Sequence, residues 1–245
     1  MKALLTSTAI LLAGNDHVVS DVIVFAADTA LRTTGGANVI EGLHCWNKAT
    51  LLGGLGIAVQ SPSTRLDKVY LDYNALELTD PKHVSVSNSF FLGMGTIVLK
   101  AVAGTVDGLL LTANTWQNYN MPSNETVVLD ERAARFHSVS DLVMQGNVGC
   151  SIKNHLMSPR AVTATRSLRR ADASRWEIAF DDALLFPHLP IRAARYSIEV
   201  EGGAFAQHAM RPAQNLTAAV ATSEAVTGTV TVTVTQGEFS VGNSW

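Results

Sequence analysis

Carboxylates are plentiful enough in this chain for two of them to meet by chance, and examples are Asp67, Asp72, Glu77, Asp181 and Asp182. Glycosidases use two carboxyl groups that meet in space, and the two groups need not be neighbours in sequence. A β-sandwich hydrolase with a two-carboxylate cleft is therefore one hypothesis for this chain. Asp181-Asp182 stands between a β-rich stretch and Pro187, which is more typical of a turn than of a catalytic pair.

Three aromatic residues offer flat surfaces on which a sugar ring can stack, namely Trp46, Trp116 and Tyr119. The commoner role of such residues is to anchor a buried core, where large rings contribute much apolar area. The sequence leaves both interpretations open.

Other catalytic and ligand motifs are missing. No serine lies in a GxSxG turn. Gly53-Gly54-Leu55-Gly56 is followed by a strand-like run and Pro62, whereas a phosphate-binding loop leads into a helix. No pair of histidines has a metal-binding spacing; the seven are His17, His44, His83, His137, His155, His188 and His208. We therefore predict no catalytic residue, no cofactor and no metal.

The two cysteines, Cys45 and Cys150, lack the CxxC spacing of zinc or redox sites. Two buried free thiols are the simpler interpretation, because unpaired cysteine is among the most buried residue types. A single disulfide between them is the alternative.

The composition is apolar and weakly charged. Hydrophobic residues make up 47% of the 245 residues, charged residues 16%, and the net charge is −3. About 25% charged residues is typical, so the low value suggests a surface that is partly covered by neighbouring subunits or one that is rich in Thr, Ser, Asn and Gln. The negative balance argues against strong nucleic-acid binding.

A small basic cluster, Arg166, Arg169 and Arg170, lies near a predicted hairpin tip around residues 170–172. It is a candidate contact for an internal membrane, nucleic acid or an acidic neighbour. A solvated turn is the alternative.

The clearest strand is Val226–Gln236, where valines and threonines alternate. Successive strand residues point to opposite faces, so this strand has one apolar face and one hydroxyl face. Both residue types are β-branched and suit a pleated surface. Some of the threonines are expected to lie against another strand or subunit.

Short strand-like runs fill most of the chain, each bounded by glycine, proline or asparagine. The predicted strands include residues 3–12, 18–27, 39–46, 51–60, 84–92, 96–102, 109–113, 148–156, 161–168 and 175–180. The spacing of Leu129, Ala133, Phe136, Val139 and Val143 predicts one helix over Asp130–Met144, capped by Asp130 and ended by Gly146. The fold class is thus mainly all-β, with two β-sandwich or jelly-roll-like halves joined by one helix.

Three regions follow from this interpretation: a first β-rich half at 1–124, a helical connector at 125–146 and a second β-rich half at 147–245. The first residues, 1–14, have one lysine and a broken apolar run. We interpret 3–12 as a strand, with a signal peptide as the alternative. The sequence contains no apolar run of about 18 residues, so it predicts no membrane-spanning helix.

With about eight strands in each half, the chain resembles the double jelly-roll coat proteins of small tailless, lipid-containing bacteriophages. The resemblance rests on strand counting and composition. It implies a self-assembling capsid subunit without catalytic activity, in the virion and made in the host cytoplasm, whose partners are copies of itself, as trimers in that family, and other virion proteins. The alternatives are a phage tail or baseplate component, and a secreted or periplasmic β-sandwich that binds carbohydrate.

Overall fold

The computed structural model describes residues 6–46, 54–93, 95–118, 126–151, 156–157, 160–203 and 206–238. The chain divides into two compact units, and the division falls after Arg160. Unit 1 precedes it, and unit 2 is Ala161–Glu238. Within the described residues, the model has no helix that is long and apolar enough to cross a membrane.

Unit 1 consists of six successive coils of short strands. The first three coils contain β1 (Thr6–Leu12), β2 (Val18–Ser20) and β3 (Ile23–Phe25); β4 (Ala27–Thr33), β5 (Val39–Glu41) and β6 (His44–Trp46); β7 (Leu55–Val59), β8 (Arg65–Asp67) and β9 (Tyr70–Asp72). The next three contain β10 (Ala75–Thr79), β11 (Ser85–Ser87) and β12 (Phe90–Leu92); β13 (Ile97–Lys100), β14 (Thr105–Asp107), β15 (Leu110–Thr112) and β16 (Thr115–Asn118); β17 (Val127–Asp130), β18 (Ser138–Ser140), β19 (Val143–Gln145) and β20 (Val148–Ser151). A short strand, β21 (Leu156–Met157), follows and pairs antiparallel with β20.

Equivalent strands of successive coils pair in parallel and form three long sheets. Sheet A has the order β1-β4-β7-β10-β13-β17, sheet B β2-β5-β8-β11-β15-β19, and sheet C β3-β6-β9-β12-β16-β20, with β14-β18 as a small fourth sheet. Unit 1 is therefore a parallel β-helix. The all-β prediction is confirmed, and the prediction of jelly-roll-like halves is wrong, because jelly rolls are built from antiparallel strands.

One corner is repeated in every coil, between sheets B and C. In the second coil Ile40 points inward from sheet B, Gly42 turns the chain, and Leu43 and Cys45 point inward again. The turning residue always has a positive φ. The six turning residues are Asp21, Gly42, Lys68, Asn88, Ala113 and Gly146. This conformation is the left-handed one, which bends the chain sharply within a single residue.

Buried polar side chains stack along this corner in the later coils. Asn114 Oδ1 accepts a hydrogen bond from the Ser89 backbone N–H (3.0 Å), and Asn114 Nδ2 donates to the Val86 carbonyl (2.9 Å). Asn147 repeats the arrangement one coil later by accepting from the Asn114 N–H (3.1 Å). These bonds join successive coils and satisfy backbone groups that the sharp turn leaves without sheet partners.

The predicted helix at Asp130–Met144 does not form. Asp130 ends β17, and the remaining residues contain β18 and most of β19. Phe136, Val139 and Leu142 are all buried, although they belong to short strands and corners. These three inward residues are three positions apart because the chain bends between them. The same spacing is typical of the buried face of a helix. The same finding removes the helical connector from the predicted 125–146 region.

Unit 2 is an antiparallel sheet around one very long strand. Its elements are β22 (Thr163–Ala179), β23 (Ala193–Val200), a 3₁₀ turn (Glu201–Gly203), β24 (His208–Gln214) and β25 (Thr217–Thr235). β25 pairs with β22 along most of its length, with β23 at one end and with β24 at the other. The register with β22 shifts between Arg170 and Arg175.

The valine–threonine strand prediction is confirmed. Val226, Val230, Val232 and Val234 are buried, and they pack in one cluster with Trp176. The threonine face bonds to the neighbouring strand through hydroxyl groups. These pairs are Thr163–Thr235 (3.0 Å), Thr165–Thr233 (2.9 Å) and Ser167–Thr231 (2.7 Å). Three of the threonines therefore lie against another strand of the same chain.

Candidate functional site

The outward residues of sheets B and C form a continuous surface of unit 1, which we call the BC face. The middle residues of the sheet C strands point into the core, as Cys45, Leu71 and Phe91 do with no exposed surface. Because strand residues alternate, the residues on either side point outward. Two outward rows of sheet C follow, Ile23–His44–Tyr70–Phe90–Thr115–Val148 and Phe25–Trp46–Asp72–Leu92–Gln117.

Aromatic rings dominate the first four coils of these rows. His44 stacks on Tyr70 with ring centroids 4.3 Å apart, and Tyr70 meets Phe90 edge to face at 5.2 Å. Phe25 and Trp46 meet edge to face at 5.4 Å. Phe25 is 54% exposed and Trp46 40%, so these two rings are accessible to a ligand, and the 60% exposed Ile23 lies beside them.

Two carboxylates share a lysine where sheet B meets the corner. Glu41 and Asp67 are neighbours in the parallel register of β5 and β8. Lys68 Nζ lies 2.7 Å from Glu41 Oε1 and 3.5 Å from Asp67 Oδ2. The hydrogen bond to Glu41 and the charge of that carboxylate raise the pKa of Lys68. The ammonium therefore stays charged and holds both carboxylates at the surface.

Asp67 receives two further donors from the next coil. Asn88 Nδ2 and Ser87 Oγ each donate to Asp67 Oδ1 at 2.8 Å. The Asn88 hydrogen bond, with those of Ser87 and the charge of Lys68, holds the pKa of the Asp67 carboxyl below its ordinary value. Asp67 is thus kept ionised, as a base or nucleophile must be.

Asp72 and His44 each carry a buried polar atom without a hydrogen-bond partner, Asp72 Oδ1 and His44 Nε2. Unpaired buried groups are uncommon, and they mark places where a ligand or water completes the bonding.

The burial of Cys45, with the charge of Asp72 as a smaller cause, raises the pKa of the Cys45 thiol to about 12. The thiol donates to Asn74 Oδ1 at 3.3 Å and has no role on the outer face.

The predicted carboxylates are only partly brought together. Asp67 and Asp72 lie on the third coil, on the two sides of the Lys68 corner. Glu77 lies on sheet A, where both its oxygens are 3.2 Å from Lys100 Nζ. Asp181 and Asp182 lie in a turn of unit 2, as predicted.

Of the three aromatic residues that were predicted as sugar-stacking platforms, one lies on the BC face. Trp46 lies on the BC face, whereas Trp116 points into the core and stacks on Phe91 at 5.0 Å. Tyr119 lies outside the described residues. His44, Tyr70 and Glu41 were not predicted as residues of a sugar site. The signal that would have found them is the recurring corner, since each stands one or two residues from a turning residue.

The remaining motifs have structural roles. Strand β7 (Leu55–Val59) begins inside the Gly53-Gly54-Leu55-Gly56 stretch, so the described residues from Gly54 on lead into a strand and not into the helix that a phosphate-binding loop needs. Cys45 is buried and free, while the side chain of Cys150 lies outside the description. Among the residues that the structure describes, no group of three or more metal-binding side chains has the geometry of a metal site.

The arginine cluster is spread along β22, because that strand continues to Ala179 and the predicted hairpin around 170–172 is absent. Arg166 Nη2 lies 2.6 Å from Asp182 Oδ1, and Arg169 pairs with both oxygens of Glu201. Arg170 Nη1 donates to the Arg175 carbonyl at 3.2 Å. Contact of these residues with a membrane or nucleic acid stays a prediction.

Comparison with known proteins gives a sequence relative and a structural likeness. No protein-family model matches the chain. The chain is 35% identical over 236 residues to Polygalacturonase QRT3 of Arabidopsis thaliana. The alignment covers 95% of this chain and 47% of the relative, so the chain spans about half the length of the curated relative that it matches.

Among solved structures, the chain is similar to the tailspike gp61 of Pseudomonas phage phi297, with a TM-score of 0.47 and 9% sequence identity. That alignment covers 94% of this chain and 48% of the tailspike chain. A likeness of this size carries no conclusion about function. The alternative of a phage tail component stays a prediction.

The sequence relative overturns the central expectation from the sequence. The chain is 35% identical to a polygalacturonase over 95% of its length. This similarity is direct evidence of relationship, whereas the resemblance to coat proteins rested only on the number of predicted strands and on composition. The resemblance to double jelly-roll coat proteins is therefore wrong, and so is the prediction of a capsid subunit without catalytic activity. The parallel pairing of the unit 1 strands supports the same correction.

Proposed function

We propose that this chain is part of a glycoside hydrolase that cleaves a polysaccharide on the BC face of unit 1. The observation that carries the proposal is the position of Asp67 and Asp72 beside an exposed row of aromatic rings. The relative's name, a polygalacturonase, supports the same reaction class. Polygalacturonate is therefore the first polymer to test.

The proposed reaction needs two carboxyl groups in different roles. One gives a proton to the glycosidic oxygen while the bond from that oxygen to the anomeric carbon breaks. Water adds its hydroxyl to the anomeric carbon, and its remaining proton passes to the second carboxylate. Asp67, held ionised by Asn88, Ser87 and Lys68, is suited to the second role. Asp72, with an oxygen that lacks a protein donor, is assigned the first.

A second candidate function is carbohydrate binding without cleavage. The observation in its favour is the Lys68 ammonium, which is already engaged by Glu41 and lies near Asp67. A carboxylate that is neutralised by a permanent partner can serve mainly to stabilise the corner. The aromatic rows would then account for all contact with the sugar.

The release of reducing ends from polygalacturonate and a panel of other plant and bacterial polysaccharides tests the proposal. We expect Asp67→Asn and Asp72→Asn each to lower the initial rate by about 100-fold or more, as loss of an acid or base group does. Asp16→Asn is the matched control, because Asp16 is exposed, has a positive φ that asparagine tolerates, and lies before sheet B.

Circular dichroism and urea unfolding show whether the variants are folded. Full activity of both variants contradicts the assignment of the two residues. Binding of a polymer without release of ends by the wild-type chain supports the second candidate instead.

A further inference from the structure

The charges on the BC face are unfavourable for a polymer that carries a carboxylate on every sugar. Among the described outward and corner residues of sheets B and C, four side chains are acidic and two are basic, a balance of two negative charges. These residues are Asp21, Glu41, Asp67 and Asp72, with Arg65 and Lys68. Lys68 lies 2.7 Å from Glu41, so these two charges offset each other within that balance.

The apolar part of the face is extended rather than confined to one point. It begins at the exposed Ile23 and Phe25, passes Trp46 and His44, and continues through Tyr70 to Phe90. It therefore crosses four coils. Exposed apolar patches of this kind mark ligand-binding grooves or interfaces. Successive parallel strands are about 4.8 Å apart, which is comparable to the length of one pyranose ring.

Two buried polar atoms within the patch lack a protein partner. His44 Nε2 and Asp72 Oδ1 are both buried and without a partner. These atoms have no surface that a ligand can reach, but the carboxylate of Asp72 lies on an outward row, and its negative charge repels a sugar carboxylate. This chemistry fits hydroxyl groups, not acid groups.

We propose, on the basis of the proposed function, that the aromatic rows bind neutral sugar residues. The ligand is a polysaccharide that is neutral or has only scattered acidic residues. Its pyranose C–H faces lie against Trp46 and against the outer edges of the stacked His44 and Tyr70 rings. An acidic residue is accepted only near Arg65 and Lys68, at the sheet B side of the face. The substrate thus differs from a homopolymer of galacturonate.

Affinity electrophoresis and calorimetry with three polymers test this inference. The polymers are polygalacturonate, an alternating polymer of uronate and neutral sugar, and a neutral galactan. We expect the neutral galactan to bind at least about tenfold more tightly than polygalacturonate, with the alternating polymer between the two. We also expect Trp46→Ala to weaken that binding about tenfold, as loss of an aromatic anchor does. Val102→Ala is the control, since Val102 is exposed but follows sheet A strand β13.

The outcomes separate the inference from the proposed function. If polygalacturonate is bound and cut best and Trp46→Ala leaves this unchanged, the inference is overturned while the hydrolase proposal stands. If a polymer with neutral residues binds through Trp46 but no bond is cleaved, the inference stands and the hydrolase proposal fails. If no polymer binds and the chain dimerises through the patch, with Trp46→Ala making it monomeric, both are overturned.

Discussion

His44 lies face to face with Tyr70, with the ring centroids 4.3 Å apart and the planes within 7° of each other. The two residues occupy the same register position on neighbouring coils, β6 and β9. Parallel strands with no offset place equivalent side chains directly above one another, so flat rings stack. The β-helix thus converts separated sequence positions into a continuous ring surface.

Asp80 is expected to stabilise unit 1 in a pH-dependent manner. Its carboxylate accepts backbone N–H groups of Val102, Ala103, Gly104 and Thr105 at 2.7–3.3 Å. Although burial acts to raise the pKa of Asp80, these donors outweigh it and lower the pKa. We expect Asp80→Asn to reduce the free energy of unfolding by about 1–3 kcal/mol at pH 7.

The direction with pH follows from the lowered pKa of Asp80. The stabilisation is fully present above the unfolded-state pKa, about 3.9, and it is lost as the pH falls through the folded-state pKa. Urea unfolding at several pH values checks this. The difference between the wild-type protein and Asp80→Asn should shrink as the pH falls below about 4. A constant difference would show that the carboxylate charge is not responsible.

Gln236 is expected to hold the 186–189 segment of unit 2. Its buried amide donates to the carbonyl groups of Phe186 and Leu189 and accepts from the Phe186 N–H at 3.1 Å. Gln236→Ala leaves these buried groups without partners, so we expect a loss of about 3 kcal/mol in unfolding free energy. The exposed Gln207→Ala is the control and should change stability by less than about 0.5 kcal/mol. Equal stability of both variants would contradict the assigned role.

Gly228 is expected to tolerate no side chain. A Cβ at this position of β25 would lie 2.4 Å from the Glu199 carbonyl oxygen, which belongs to the backbone of β23. Because the backbone cannot move aside without breaking strand pairing, Gly228→Ala should cost about 1–3 kcal/mol or more. In Gly237→Ala the nearest atom is a Val162 side-chain carbon at 3.2 Å, so a smaller loss is expected. Thermal unfolding of the two variants makes the comparison.

The Cys45 thiol is expected to be unreactive in the folded chain. Burial, with the Asp72 charge as a smaller cause, raises its pKa to about 12, and the thiolate is the reactive form. In a Cys150→Ser background, a thiol reagent at pH 8 should label Cys45 slowly in buffer and rapidly in urea. Rapid labelling of the folded protein would show that Cys45 is accessible. That result would contradict the position of the Cys45 side chain, which points from β6 into the core.

Local strands were predictable from the sequence because alternation is a short-range signal. The valine–threonine strand is confirmed, since β-branched residues with period two fit only a pleated element. The coil arrangement was not predicted. The sequence pattern of one coil is an inward-pointing residue followed by two more inward-pointing residues, three and five positions later, as in Ile40, Leu43 and Cys45. Equivalent positions of successive coils are 20 to 33 residues apart. Irregular loop lengths hide such a repeat.

The candidate site was only partly predictable for a related reason. Asp67, Asp72 and Trp46 were identified by residue type, but nothing near them in sequence indicates that they share a face. That face is created by the register between coils, which brings Trp46 beside Asp72 across 26 residues of chain. Tyr70 and His44 were missed because each lies alone among unrelated neighbours.

The most direct test of the central claim is the initial rate at which reducing ends are released by the wild-type chain and by Asp72→Asn. The substrate is the polymer of the panel that the wild-type chain binds most tightly, and Asp16→Asn serves as the control. The account predicts measurable cleavage by the wild-type and control proteins and a rate lower by about 100-fold or more for Asp72→Asn. Equal rates for a folded Asp72→Asn and the wild-type protein would contradict it.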